Sequence, residues 1–292
     1  MCSIFTFLHN SAGTGPARLC LLLLVLALLP ACARRGGTGR IPADPAVAEA
    51  TWHRFVTTAT RQESLAGPFR LNATLYYSGK EDSQRVTAYF WGNGDVKTPL
   101  PLRLDILMGP GSVMAAARED SRGLFIHVPR EEVVYHAEHS GLLAFDLPVP
   151  FSLADLSFLV TGRFAPLFAP RQSDGAFAQS APDAEQEDGG IVYAVKHARL
   201  AGFLTVGPDG LPNAWTDGAA NGWTLAIEYW PDSTRTTPRK LHVKNAEGRE
   251  ATLIVRELAH PATFAPKQLE LAVPPGTRLA PLAPLAPVDV RQ

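Results

Sequence analysis

Two histidines, His136 and His139, stand among acidic residues in the middle of the chain and are of a type that binds metal ions. Zinc hydrolases commonly carry the order His-Glu-x-x-His on one helix, which aims both rings at the metal. Here the spacing is His-x-x-His, and residues 132–136 alternate as a strand does, so the rings would not share a side. We interpret this segment as a solvated turn, and we expect no metal site and no cofactor.

The other residues of catalytic type form no recognisable constellation. Residues 109–112 read Gly-Pro-Gly-Ser but lack the lysine and the following helix of a phosphate-binding loop. No Gly-x-Ser-x-Gly sequence, which would hold a nucleophilic serine on a sharp turn, occurs in the chain. We therefore expect that the protein is not an enzyme.

The N-terminal residues have the pattern of an export signal. Residues 19–29 are eleven consecutive apolar residues that follow Arg18, and they would span only roughly half of a ~30 Å hydrocarbon core. The pattern predicts a signal peptide over residues 1–31. Its last residues and Cys32, Leu-Pro-Ala-Cys, resemble the bacterial lipobox, whose cysteine is acylated and begins the mature lipoprotein. The alternative is an ordinary secretory signal that a cysteine follows by chance.

Acylation of Cys32 would attach the protein to a membrane by lipid. Cleavage before Cys32 would also remove Cys2 and Cys20, so no pair of cysteines would be left for a disulfide. By the known sorting rule of such lipoproteins, Ala33 rather than aspartate at this position favours the outer membrane. We expect attachment to its periplasmic face, through a flexible tether at residues 32–44 that is rich in glycine.

The composition favours a globular protein with many strands and turns. Hydrophobic residues make up 46% of the 292 residues, which is too high for a disordered chain. The 27 lysines and arginines are balanced by 28 acidic residues, so the basic surplus of a nucleic-acid-binding protein is missing. The 25 prolines and 24 glycines are typical of short strands joined by turns.

Two segments have the spacing of helices. Apolar residues recur at helical intervals over residues 45–63, which predicts an amphipathic helix laid against a sheet. A second helix is predicted from Ser152, because Ser152 and Asp155 resemble a capping box and Gly162 supplies the end.

Alternating apolar residues predict about thirteen strands. The predicted strands are residues 69–77, 85–91, 100–107, 113–117, 124–128, 132–136, 191–195, 200–206, 214–216, 223–230, 239–243, 251–258 and 268–273. An antiparallel sheet of this length is expected to curl. The expected fold class is therefore mainly β with a few helices (α+β), and helices against a curled sheet would leave an apolar concavity that suits an acyl chain.

The domain organisation follows from the positions of these elements. We predict one domain over residues 45–278. Residues 172–190 are acidic and rich in alanine, serine and glycine, and they are expected to form a mobile loop. Residues 279–292 repeat Leu-Ala-Pro and are expected to form an extended, polyproline-like tail.

Several segments resemble the LolB-like outer-membrane lipoproteins of the LolA/LolB superfamily. The resemblance lies in the opening strands, in the proline-containing helix that ends at Gly162-Arg163, and in the close of the body, which resembles the related periplasmic carrier. The segments that carry it are residues 69–75, 89–91, 101–106, 147–156 and 269–276.

The resemblance implies an unclosed half-barrel capped by helices, with an apolar cavity that receives the acyl chains of lipoproteins. It also implies a function in delivering lipoproteins to the outer membrane, with a periplasmic lipoprotein carrier as a partner. The residues that we nominate for the cavity lining are Leu71, Leu75, Leu104 and Ile106. The alternatives are a structural or assembly lipoprotein of the same fold that transports nothing, and a carrier of another lipid.

The family's receptor also inserts an exposed apolar residue of a protruding loop into the membrane. The nearest match is Leu100, which lies between Pro99 and Pro101. Leu100 could equally begin the next strand.

Overall fold

Alternation of apolar and polar residues produces a single large sheet. The computed structural model describes residues 43–64, 66–78, 83–94, 101–109, 111–138, 149–168, 178–180, 190–196, 198–219, 222–231, 236–261 and 263–282. Within these ranges one 14-stranded sheet is present. Its strands are β1 Phe69–Ser78, β2 Ser83–Gly92, β3 Leu102–Gly109, β4 Ser112–Asp120, β5 Gly123–Val128, β6 Val133–Ala137, β7 Ala178–Ser180, β8 Ile191–Val195, β9 Gly202–Val206, β10 Pro212–Thr216, β11 Trp223–Tyr229, β12 Pro238–Asn245, β13 Glu250–Ala259 and β14 Arg278–Pro281.

The strand order joins two runs of sequential neighbours. From one end to the other it is β14-β6-β5-β4-β3-β2-β1-β13-β12-β11-β10-β9-β8-β7. Every pairing is antiparallel except that of β14 with β6, which is parallel. The terminal strands β14 and β7 do not pair with each other, so the sheet curves without closing. This confirms the expected fold class, mainly β with a few helices.

The long helix α1, Pro45–Glu63, has the limits that its apolar spacing predicts, and Asp44 caps its start. The Asp44 carboxylate accepts a hydrogen bond from the backbone N–H of Ala46 at 2.8 Å, and Pro45 occupies the first turn. Residues that recur at helical spacing form its buried face, namely Ala48, Thr51, Phe55 and Ala59. The helix thus lays one apolar stripe on the domain core.

The second helix, α2, Leu153–Thr161, also has the predicted limits. Ser152 and Asp155 form a capping box, and Gly162 ends the helix with a φ of 73°. A one-turn helix that the sequence did not indicate, α3 Ala165–Phe168, follows at once. Most residues of α2 are buried, so this helix forms part of the core rather than of the surface.

The C-terminal end of the chain differs from the expectation. Residues 268–273 are not a strand, because Pro266–Leu269 form a 3₁₀ turn and the chain then runs without regular structure to β14. The strands that this segment contacts, β2 and β3, already have partners on both edges, so it cannot pair with them. The prediction that an extended tail begins at residue 279 is wrong at its start. Residues 278–281 instead form β14, which pairs with the free edge of β6.

Part of the acidic segment that we expected to form a mobile loop is a strand. Residues 178–180, which we expected to belong to a mobile loop over residues 172–190, form strand β7. This strand pairs with β8 and covers that edge of the sheet. Residues 172–177 and 181–189 lie outside the described residues, as do the signal and tether segments up to residue 42. The described residues all belong to one compact unit, Ile41–Gln292.

Two glycines provide a test of the sheet geometry. Gly123 has a φ of 119°, and a Cβ there would lie 2.4 Å from the backbone oxygen of Ala137, whereas a Cβ on Gly109 would meet nothing within 4 Å. We expect Gly123→Ala to lower the free energy of unfolding by about 2 kcal/mol or more. The matched control Gly109→Ala should change it by less than about 1 kcal/mol. Equal effects in urea denaturation would contradict this account of Gly123.

Candidate functional site

The face of the sheet that the helices cover, called the inner face below, contains a small apolar cavity. It lies between α2 and the strands β1, β2, β3, β12 and β13, and its volume is about 50 Å³. The residues that line it are Leu75, Tyr77, Ala88, Leu104, Ile106, Val149, Phe151, Leu156, Leu241, Val243, Ala251 and Leu253.

The lining has almost no polar chemistry. Among the twelve lining residues, only Tyr77 has a polar side-chain group, and its hydroxyl donates a hydrogen bond to Gln84 Oε1 at 2.7 Å. A cavity without polar partners does not hold ordered water well, and it accepts hydrocarbon instead. The lining supplies no nucleophile, no acid–base pair and no set of metal ligands, so its chemistry is limited to apolar contact.

Three of the four nominated residues line this cavity. Leu75, Leu104 and Ile106 are among its walls, whereas Leu71 lies on the same face of β1 but is fully buried outside the lining. Leu71 pairs with Phe90, whose ring packs against Phe69 at 5.1 Å and fills this end of the inner face. Whether the three lining residues contact lipid stays a prediction.

Nine of the twelve residues that line the cavity were not nominated from the sequence. Its walls include residues of β12 and β13 such as Leu241 and Leu253, which reach β1 only because β13 pairs with β1. Phe151, just before α2, was also missed, although its neighbour Ser152 was recognised as a cap. Alternation marks each of these strands as half-buried, but it does not say which strands become neighbours.

The cavity is too small for an acyl chain in this closed form. An engineered cavity of about 150 Å³ holds a single benzene, which is about three times the volume present here. Buried side chains of the helices and of the sheet pack around it. A chain of many methylenes would therefore enter only if α2 moved away from the sheet.

The start of α2 is attached to the sheet by Glu119 of β4. One carboxylate oxygen of Glu119 accepts a hydrogen bond from the backbone N–H of Ala154 at 3.1 Å. Burial raises the pKa of Glu119, and nearby Asp155 adds to this rise, while the N–H groups of Ala154 and Leu153 and the charge of Arg199 oppose it. The result is a partly desolvated carboxylate at a helix N-terminus.

The end of α2 is attached to α1 by a buried ion pair. Arg163 is 5% exposed, and its Nη2 lies 2.6 Å from Glu63 Oε1. Its Nη1 donates a hydrogen bond to the backbone oxygen of Gly94, just beyond β2, at 3.2 Å. Removing either partner would leave a buried charge uncompensated, so these contacts hold the end of α2 in place.

The histidine segment is part of the sheet rather than a ligand cluster. His136 lies on β6, its ring stacks on Phe125 with centroids 4.4 Å apart, and its Nε2 lies 3.1 Å from the backbone oxygen of Arg122. His139 lies outside the described residues. Within the ranges that the structure describes, no three side chains of histidine, cysteine, aspartate or glutamate are grouped as metal ligands would be.

The two residues predicted to act at a membrane, Cys32 and Leu100, lie outside the described residues. Among the helices that are described, none is both long and apolar enough to cross a membrane.

Comparison with known proteins finds similarity in structure only. No protein-family model matches the chain, and no curated protein matches it. A LolA superfamily protein from Nitrosomonas europaea superposes with a TM-score of 0.46 and 12% identity over 76% of this chain and 96% of that one. A DUF1329 family protein from Desulfovibrio piger superposes with a TM-score of 0.47 and 12% identity, over 78% of this chain and 98% of that one.

A domain from Vibrio parahaemolyticus, named as a candidate outer membrane lipoprotein-sorting protein, gives a TM-score of 0.41 and 13% identity over 74% and 94% of the two chains. These values describe similarity in fold and assign no function. The assignment of this chain to the LolA/LolB superfamily, and the narrower LolB-like assignment, stay predictions.

Glu119→Gln tests the contact between β4 and α2. Because the folded pKa of Glu119 is raised, its effect on stability is most favourable below the unfolded value near 4.5 and is lost as pH rises through the folded pKa. Glutamine keeps an acceptor for the Ala154 N–H without a charge. We expect the variant to be more stable than the native protein at pH 7, by up to about 1 kcal/mol, with no gain below pH ~4.5.

The comparison variant Glu119→Ala removes the acceptor and should be less stable than Glu119→Gln at every pH. Both are measured by urea denaturation between pH 4 and 8. A Glu119→Gln protein that is destabilised at pH 7 would show that α2 requires the charge itself.

Proposed function

We propose that this protein binds acyl chains between α2 and the inner face of the sheet, and that it helps to deliver lipoproteins to the outer membrane. The observation that carries the proposal is the apolar lining of the cavity between these two layers, in which Tyr77 has the one polar side chain. The acylated Cys32 predicted from the sequence would hold the protein at the periplasmic face of the outer membrane, and a periplasmic carrier would supply the cargo.

Separation of the layers has a modest energetic cost if lipid replaces the contacts. The side chains of α2 and the sheet bury hydrocarbon against hydrocarbon, so an inserted acyl chain would restore contacts of the same kind. Each methylene that leaves water contributes about 0.8 kcal/mol. The polar contacts that oppose opening are at the two ends of α2, at Glu119 and Arg163.

Release of the cargo needs no covalent step. An acyl chain moves between two apolar environments, the protein interior and the bilayer, and the direction follows the difference in free energy between them. A protein held at the membrane by its own lipid keeps its cavity close to the acceptor bilayer. Weak binding by a small, mostly filled cavity favours onward transfer over retention.

The cavity volume supports a second candidate function. At about 50 Å³, the inner face is nearly filled by side chains of the protein itself. A lipoprotein of this fold that transports nothing, and serves as a structural or assembly partner, would have such an interior. A carrier of another lipid would use the same cavity with different cargo.

A variant that fills the cavity distinguishes acyl-chain binding from a purely structural function. Leu75 is partly buried at the cavity wall, and its neighbour Tyr76 lies on the opposite face of β1. We expect Leu75→Trp to fill the cavity and to weaken binding of the fluorescent fatty acid cis-parinaric acid at least about tenfold, or ~1.4 kcal/mol. Tyr76→Trp is the matched control and should bind as the native protein does.

Mass spectrometry of lipids that copurify with each variant identifies the cargo. Failure of the native protein to bind parinaric acid or to retain any acyl chain would support the structural function instead.

Delivery is tested in cells depleted of the native protein. If Leu100 inserts into lipid, Leu100→Glu should leave other lipoproteins outside the outer membrane while the variant itself folds. Met108→Glu is the matched control, because Met108 is an exposed apolar residue, 62% accessible, whose replacement should leave delivery normal. Membrane fractionation locates the lipoproteins, and normal delivery by Leu100→Glu would remove Leu100 from the mechanism.

The same cells test the anchor. Cys32→Ser should abolish palmitate labelling and release the protein from the membrane fraction. A labelled Cys32→Ser protein would contradict the lipobox assignment.

A further inference from the structure

The face of the sheet opposite the helices, called the outer face below, contains a larger groove. The groove has a volume of about 570 Å³ and lies over β13, β1, β2 and β3, beside the segment that precedes β14. Volumes of about 300–1,000 Å³ are typical of small-molecule sites. Its lining differs from that of the inner cavity, because polar and aromatic side chains are mixed.

Four polar side chains form a row along the floor of the groove. Strand register places Asn72 opposite both Glu257 and Tyr89, and it places Tyr89 opposite Asp105. Neighbouring strands lie ~4.8 Å apart, so the row extends over about 15 Å. It presents, in order, a carboxylate, an amide, a phenol and a second carboxylate.

Most of these groups have no partner within the protein. Among the described residues, Asn72, Tyr89 and Glu257 make no side-chain hydrogen bond or ion pair, and the same is true of Arg70 at the edge of the groove. Asp105 is oriented by Arg103, whose guanidinium nitrogens lie 3.0 and 3.1 Å from its two oxygens. The floor thus offers donors and acceptors that are free to bind a ligand.

Two aromatic residues, Trp91 and Phe264, form part of the remaining walls together with Leu107, Val113 and Gln268. Trp91 Nε1 donates a hydrogen bond to the backbone oxygen of Gln268 at 3.1 Å, and the Arg103 guanidinium lies 5.1 Å from the centre of the Trp91 ring. The backbone N–H of Phe264 bonds to Asn93 Oδ1 at 3.1 Å. These contacts attach the C-terminal segment to the sheet and fix the width of the groove.

We propose that this groove binds an oligosaccharide. Sugar hydroxyls both donate and accept, so they match a row of carboxylate, amide and phenol groups. The C–H faces of sugar rings pack on exposed aromatic rings such as that of Tyr89, which is 38% accessible. Amide and hydroxyl groups in a site also reject ligands that leave them unpaired, which gives selectivity against hydrocarbon.

Other ligand classes fit the groove less well. An acyl chain would bury the unpaired groups of the floor without hydrogen bonds. A polyphosphate or nucleic acid would meet one unpaired cation at the groove, Arg70, next to the carboxylate of Glu257 within the described lining. An extended peptide has no sheet edge to join here, because the strands beneath the groove have partners on both sides.

The test uses the full-length mature protein in a detergent without a sugar headgroup. Cellotriose, maltotriose and chitotriose are the probes, and binding is followed by saturation-transfer NMR and by titration calorimetry. We expect at least one trisaccharide to bind with a Kd below about 1 mM, and Tyr89→Ala to weaken its binding at least about tenfold. Glu257→Gln should also weaken it.

Tyr76→Ala is the matched control. Tyr76 lies on the same face of the sheet, outside the groove, and is 37% accessible, close to the value for Tyr89. The Tyr76→Ala variant should bind the trisaccharide as the native protein does. Thermal unfolding of each variant shows whether it is folded.

Two results would overturn the proposal. One is the absence of binding by all three trisaccharides at about 10 mM, which is ten times the expected upper limit of Kd. The other is an equal loss of binding in folded Tyr76→Ala and Tyr89→Ala. Fatty-acid binding does not enter either criterion, so the inner cavity and the outer groove are tested separately.

Discussion

The pairing of β1 with β13 is the contact on which the rest of the structure depends. It joins the strands of the first half of the chain to those of the second half, with Leu71 opposite Leu258 across a long separation in sequence. Closing so large a loop costs entropy before the contact gains any stability. Once formed, the pair creates both sites, because the inner cavity and the outer groove each take walls from β1 and from β13.

The inner cavity and the outer groove lie on opposite faces of the same strands. Side chains alternate along β1, so Leu75 points to the helices while Asn72 points to the outer groove. A slip of one residue in the register would exchange the two sets and would place polar groups against α2. Burial of the apolar face thus fixes the strand register. The same register then sets which polar side chains lie opposite one another on the outer face.

Local signals predicted local structure well. Apolar spacing predicted the helix over residues 45–63, and the Ser152–Asp155 capping box with Gly162 predicted the limits of α2, because these signals depend on residues a few positions apart. Alternation placed Leu75, Leu104 and Ile106 on one apolar face of their strands, and their contact with lipid stays a prediction. Leu241 and Leu253 were not assigned to the cavity, since their place depends on strand order. Residues 268–273 alternate like a strand, yet β2 and β3, which this segment contacts, already have partners on both edges.

The short strand β14 has a consequence for the association of this protein with other chains. It pairs with β6 through only four residues, Arg278–Pro281, and its last residue is a proline without an N–H group. Without β14, the edge of β6 would be open to strands of other molecules, which is a common route to aggregation. Strand β14 therefore covers this edge of the sheet. A chain that ended before residue 278 would be prone to self-association even if the inner cavity and the outer groove were unchanged.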